Sequence, residues 1–337
     1  GDVYKRQMLS SNILNTVAMK KFTLYILTAF GLMGLATSCN DFGDVNNDPM
    51  NLNPGVVDYK MEFTQVEAQI CGSDWDVWRN GCIYTANMIQ HTASVDWAYG
   101  VFYTWNDQYS GAYWGGFYSG GRAAIRNIID VMNNWEGDPA YTNEYQMCRI
   151  LKAYMFQNMT DLYGDVPYSE AGQGYSTNPI PYPKYDTQEA IYDDLLKELD
   201  EAQAALSTSA GNTIGAADVI YGGDAAKWKK FANSLMLRVA MRLTKVAPDK
   251  AKTWVAKAVS NGLFVSNDDN AIVRHTNGSP SDDSAEPYGK VFSSLDTQAF
   301  YISETFINIL QDDPRLPLIA TVCTRDPKPG WGDADFD

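Results

Sequence analysis

The sequence predicts a mainly α-helical fold made of helix pairs joined by long loops. Apolar residues recur at steps of three and four over most of the chain beyond residue 58, two of these stretches carry a full amphipathic stripe, and Gly, Pro and Asn gather in the intervals between them. That spacing places helices at Tyr59 to Ile70, Gly81 to His91, Trp105 to Trp135, Thr142 to Leu162, Asp186 to Leu206, Asp224 to Val246 and Pro248 to Ser260. In the fifth, Asp186 stands as cap with Glu189 three residues on. Ile191, Leu195, Leu199, Ala202 and Leu206 form its apolar stripe, and Asp193, Asp194, Lys197 and Glu201 its polar face. In the sixth, Trp228, Phe231, Leu235, Val239 and Leu243 share one face, with Lys230, Ser234 and Arg238 turned from it. Faces of this kind bury themselves only against other helices.

Between the fourth and fifth helices, "GQGYSTNPIPYPKY" between Ala171 and Asp186 is a long Gly- and Pro-rich loop. A short strand is predicted near Asn270 to Arg274. The helix pairs have the length of tetratricopeptide units, although no clean repeat of about 34 residues recurs.

The first 58 residues read as processing and spacing segments. From Met19, two lysines lead into an uncharged, mostly apolar run from Phe22 to Ser38, and Cys39 follows. A basic n-region, an apolar h-region and small residues before a cut make residues 19–38 a secretory signal. With 17 residues the run lies at the lower edge of a membrane span. A retained helix is the alternative, but Asn40 and Asp41 follow where a stop-transfer span carries basic residues. Ala36 and Ser38 fit ordinary secretion, and the cysteine after small residues fits a bacterial lipoprotein signal with Leu35 one place off the usual position. The second reading makes Cys39 the lipid anchor, and several acyl chains on one residue hold a protein to a bilayer far better than one. Residues 39–58, with "DVNNDPMNLNP" from Asp44 to Pro54, form an anchor-proximal linker. Residues 1–18 are read as a cloning or sequencing scar with a non-native leader, because "GDVYKRQ" back-translates to a sequence resembling a transposon end. Residues 59–337 form a single helical domain, and its Gly- and Asp-rich end, "PKPGWGDADFD", reads as a C-terminal truncation.

Composition narrows the function classes. The net charge is −15, more acidic still when counted from Cys39, so the surface repels phosphate backbones and anionic headgroups. This points to a neutral or cationic ligand. Beyond Cys39 the four scattered cysteines, Cys71, Cys82, Cys148 and Cys323, form no disulfide framework and no zinc spacing; a Cys71–Cys82 pair across a "GSDWDVWRNG" loop and free buried thiols are the two readings. There are two histidines, and no nucleophile elbow, zinc-protease helix, P-loop or dinucleotide fingerprint. His91, at the end of a helix, reads as structural or exposed. "SNDDNA" from Ser266 to Ala271 offers oxygen ligands but lacks the glycine and terminal glutamate of an EF-hand loop, so no metal or cofactor is predicted. Carboxylates are too numerous to single out a glycosidase pair. No residue is assigned a catalytic role.

The chain holds 9 Trp, 21 Tyr and 13 Phe, and ten of these rings fall in the 22 residues from Trp97 to Tyr118. Phe102, Trp105, Tyr109, Tyr113 and Phe117 follow helical steps and are predicted as core. Trp97 and Tyr99 precede that stripe, Tyr103 points off it, and Trp75 and Trp78 lie in a predicted loop between helices. Rings on loops can offer a face to a sugar, so Trp75, Trp78, Trp97, Tyr99 and Tyr103 are the candidate ligand-binding residues. Packing beneath the loops is the competing role.

"TDLYGDVPYSEA" from Thr160 to Ala171, "WKKFANSLMLRVAMRL" from Trp228 to Leu243 and "DDPRLP" from Asp312 to Pro317 resemble segments of the SusD/RagB family of outer-membrane lipoproteins. With the lipoprotein-type signal and the "DVNNDP" leader, they follow the family's order from Cys39 onward. The resemblance implies a SusD-like helical domain with tetratricopeptide-like pairs on the surface of a Bacteroidota cell, and Cys39 matches the family's lipid anchor. It also implies a SusC-like TonB-dependent transporter as partner, an oligosaccharide or in some members a peptide as ligand, and binding without catalysis. A surface glycosidase is the less favoured reading. Family members use aromatics that differ between substrates, so the resemblance assigns no role to Trp97 or its neighbours.

Overall fold

A computed structural model describes residues 58–70, 72–119, 123–175, 178–275, 287–291 and 300–320. The signal at 19–38, Cys39, the linker up to residue 57, Cys71 and Cys323 lie outside the described residues. From Asp58 onward the chain forms one compact unit. It is mainly α-helical, with tetratricopeptide-like helix pairs.

Seven helices carry the architecture. They are α1 (Tyr59–Gln69), α2 (Ala112–Tyr118), α3 (Ala124–Trp135), α4 (Thr142–Tyr163), α5 (Gln188–Ala205), α6 (Ala225–Arg242) and α7 (Pro248–Asn261). Helix α1 packs on α3, and from α3 to α7 each helix packs on the next. The periodic apolar positions meet in one core. Phe63, Ile125, Ile128, Met147, Leu151, Phe156, Leu195, Leu199, Trp228 and Val239 are among its fully buried members. Each burial of a Leu, Ile or Phe side chain contributes about 1.5–3 kcal/mol, which outweighs the weak intrinsic preference of any single helix. On the flank of α4, Arg149 donates to Glu198 and Glu201 of α5, at 2.9 and 2.6 Å.

Local chemistry sets the helix ends. Asp224 caps α6 by accepting from Ala226 N and Lys227 N. Pro248 opens α7, where its missing N–H is no loss, and Gly262 at φ +97° closes it. The cap of α5 is Thr187 rather than Asp186, its hydroxyl accepting from Ala190 N. Asp186 is drawn instead into strand β3 (Tyr185–Asp186), which pairs with β2 (Val166–Pro167), and its carboxylate accepts from Ser169 N at 2.7 Å.

Three expectations are corrected. The predicted helix from Trp105 to Trp135 is broken into a turn at Asp107–Ser110, α2 and α3. Extended Asn106 accepts from Gln108 N and Tyr109 N and so starts a new turn, and extended Ser119 ends α2. Phe102 and Trp105, upstream of that cap, are therefore out of register with Tyr109 and are 72 % and 74 % exposed instead of core. Of the other three, Phe117 is buried, and Tyr109 and Tyr113 are half-buried. Residues 270–274 form irregular chain rather than a strand. Two strands that no alternation announced, β1 (Thr92–Ser94) and β4 (Phe300–Ile302), pair antiparallel with Ala93 opposite Tyr301.

Candidate functional site

The aromatic segments converge on a second, smaller core beside the helix stack. The chain from Asp74 to Asp76 runs into a π-helix at Val77–Ala86, a conformation common at functional sites. Trp75 and Trp78 thus stand on a helical segment where a loop is predicted. Val77, Trp78, Cys82, Ile83 and Tyr84 turn inward with Val291, and Trp97, Tyr99 and Tyr109 pack against them. Trp78 lies edge-on to Trp75, Trp97 and Tyr109 with centroids at 5.5, 5.1 and 5.8 Å, the geometry that the ring quadrupole favours. Arg79 adds its guanidinium over Trp75 at 5.0 Å and over Tyr109 at 5.7 Å.

The loop after β1 is pinned to this core. Ser94 Oγ accepts from Trp97 N at 3.1 Å, Gly100 N donates to Ile83 O at 3.1 Å, and Tyr99 O accepts from Thr104 N at 2.9 Å. A Cβ on Gly100 would lie 2.4 Å from Ile83 O and 2.7 Å from Tyr84 O, so only glycine allows this approach. Tyr103 sits at φ +54° and its hydroxyl donates to Met88 O at 3.1 Å. The indole N–H of Trp105 donates to Asp107.

The five candidate residues have different surroundings. Trp75 is 45 % and Tyr103 67 % exposed, Trp97 and Tyr99 are half-buried, and Trp78 at 8 % has no open face. Trp78 therefore braces the other rings. Phe102 and Trp105 lie on the exposed side of the same loop, and sequence reasoning missed them by extending a helical register across Asn106. The signal was the cap itself, "NDQ" after the Trp.

The remaining chemistry is structural. The His91 ring rests on Phe306 at 4.6 Å, and its carbonyl accepts from Ser303 N. In 266–271, Ser266 caps a short turn, while Asp269 accepts from Lys230 Nζ and Val265 N, each at 2.8 Å. Lys230 thus occupies the oxygen that a cation would need and holds Asp269 below the usual carboxylate range. No group of three metal-ligating side chains occurs among the described residues. Partial burial, with help from Asp130, pushes Glu62 up to about 7 between α1 and α3. No described helix is long and apolar enough to cross a membrane.

Residues 57–333 match the SusD-like family model, described as starch-binding and associating with the outer membrane. The chain belongs to the SusD-like family. Among solved structures, a chitin-binding protein is 34 % identical with a TM-score of 0.67, over 77 % of this chain and 54 % of that one. A Bacteroidetes AC2a SusD-like protein is 31 % identical with a TM-score of 0.67, over 77 % and 50 % of the two chains. A chitin-binding SusD homologue from Flavobacterium johnsoniae is 27 % identical with a TM-score of 0.62, over 76 % and 53 %. The chain thus spans about half the length of these SusD-like relatives. No curated protein matches it.

The SusD-like segments seen in the sequence occupy joints of this fold. "TDLYGDVPYSEA" ends α4, turns at Gly164 with φ +75° and enters β2, with Thr160 Oγ donating to Gly164 O at 2.7 Å. "WKKFANSLMLRVAMRL" is most of α6. In "DDPRLP", Arg315 pairs with Asp313 at 2.5 Å and brings its pKa down to about 2.

Proposed function

We propose that this SusD-like protein is a cell-surface lipoprotein, anchored through Cys39, that captures oligosaccharides and passes them to a SusC-like TonB-dependent transporter in the outer membrane, binding without catalysis. The observation that carries the capture is the set of partly exposed aromatic rings on the pinned loop and at the entry to the π-helix. Trp75, Trp97, Tyr99 and Tyr103 are the ligand contacts, with Phe102 and Trp105 beside them, and Trp78 sets the angle of Trp75 and Trp97. Rings fixed before the ligand arrives cost little ordering entropy on binding, which suits apolar pyranose faces. Two solved relatives named for chitin binding support an oligosaccharide as ligand.

Calorimetric titration of the purified protein with chito- and malto-oligosaccharides tests this. Trp75→Ala and Trp97→Ala are each expected to weaken binding about fivefold, the loss of about 1 kcal/mol of ring contact. Unchanged affinity in both variants would move the site elsewhere on the surface, and silence toward every glycan would end the capture reading.

A further inference from the structure

A cavity of about 370 Å³ lies between the π-helix, α4, α6 and the turn at Pro287–Lys290, and none of the exposed loop rings lines it. That volume is within the roughly 300–1,000 Å³ of small-ligand sites. Tyr113 and Tyr288 line it, together with Asn80, Asn158, Asp161, Arg238 and Arg242.

Its charges run against those of the whole chain, whose net charge is −15. Arg238 and Arg242 are four residues apart on α6 and so share a face. The one carboxylate among its described lining residues, Asp161, is already occupied. Arg242 Nε reaches its Oδ2 at 3.1 Å, Gln157 Nε2 donates to the same oxygen at 3.1 Å, and the Tyr192 hydroxyl donates to Oδ1. Arg238 has no carboxylate among the described residues, and its guanidinium lies over the Tyr154 ring at 5.8 Å. The half-buried Asn158 amide likewise has no hydrogen-bond partner among the described residues. Among its described lining residues the cavity therefore sets two guanidinium groups against one carboxylate that is already paired.

We infer that this cavity binds an acidic sugar, a hexuronate unit within an oligosaccharide, with its carboxylate on Arg238. This rests on the capture reading above and narrows it. A guanidinium fork matches a carboxylate through two parallel hydrogen bonds, and the Tyr154 ring, 5.8 Å from the Arg238 guanidinium, attracts that cation. The Asn158 amide offers both a donor and an acceptor to a ring hydroxyl. Tyr113 and Tyr288 on the cavity wall can contact the ring that carries the carboxylate.

The test is calorimetry of the purified protein with oligogalacturonate and with the same oligomer fully methyl-esterified, which keeps the rings and removes the charge. The acid is expected to bind at least tenfold more tightly, less so as salt is raised; Arg238→Gln is expected to erode that preference, and Asn158→Ala to weaken both forms alike. Equal affinity for the two forms, or a preference that survives Arg238→Gln, would overturn the inference. So would loss of galacturonate binding in Trp75→Ala with Arg238→Gln unaffected, because the acid would then sit on the loop rings. Chito- or malto-oligosaccharide binding without galacturonate binding would overturn this inference and leave the capture reading standing. Silence toward every oligosaccharide would end both.

Discussion

Three buried carboxyl groups set the loop from Thr213 to Gly223 against the core. Glu144 accepts from Thr213 N and Ile214 N at 2.9 and 3.0 Å, and Glu67 from Val219 N at 2.8 Å. Asp218 takes four donors, the amides of Ile220, Tyr221 and Gly223 and the indole N–H of Trp228. Burial and the nearby Asp218 push Glu67 up to about 10, so it keeps its proton at neutral pH and can donate it to Asp218. A carboxyl with a raised folded-state pKa binds its proton more tightly in the native protein. Its favourable contribution is full below about pH 4.5 and declines as pH rises toward 10, by up to about 1.4 kcal/mol per pH unit. Glu67→Gln, which is neutral at every pH, is expected to be less stable than wild type near pH 4.5 or only slightly so, and to gain on it steadily toward pH 9. Urea midpoints across that range decide the matter, and parallel profiles would mean that Glu67 is ionised in the fold. No sequence pattern marks these acids as buried, since Glu67 and Asp218 meet only through a contact 151 positions long in the chain.

At the scale of elements, the long helices were legible because a stripe of apolar residues at helical spacing has few other ways to be buried. Helices α4, α5, α6 and α7 lie within a few residues of where periodicity places them. The failures fall where a polar side chain takes a backbone amide. Asn106 ends one register and begins another, and Asp186 leaves the cap of α5 to Thr187 because Ser169 claims its carboxylate. The same reasoning identifies Gly100 as the joint between the aromatic loop and the π-helix. Gly100→Ala must push the loop off Ile83 O and Tyr84 O, with an expected stability loss of about 1–3 kcal/mol. Oligosaccharide affinity should fall in the same variant although no ligand contact is removed. A variant with wild-type thermal stability and wild-type affinity would show that the loop is not held in this way.

For the molecule as a whole, the proposed membrane attachment and the proposed ligand capture can be tested separately. The helical unit begins at Asp58, and a lipid on Cys39 would tether it through a polar linker. Cys39→Ser is expected to abolish incorporation of labelled palmitate and to release the protein from the membrane fraction, with glycan affinity unchanged. Palmitate labelling that persists in Cys39→Ser would place the lipid elsewhere or refute the anchor. The strong negative charge bears on the same scale. It disfavours close approach to anionic headgroups, so a lipoprotein of this charge would rely on its acyl chains rather than on surface electrostatics.

The sequence by itself determined the helical class, the order of the main helices, the acidic surface and, through three ordered segments, the SusD-like family. Periodicity, charge and short motifs are local properties, and they survive reading in one dimension. Which aromatic rings are covered was decided only by tertiary structure. Trp78 and Trp75 are three residues apart in the sequence, yet one is core and the other surface, because a π-helix and a loop closed over Gly100 bring Trp97 and Tyr109 onto Trp78 alone. The cavity between α4 and α6 is of the same kind. Arg238 and Asn158 are ordinary polar residues on two helices until packing brings them to one concave surface.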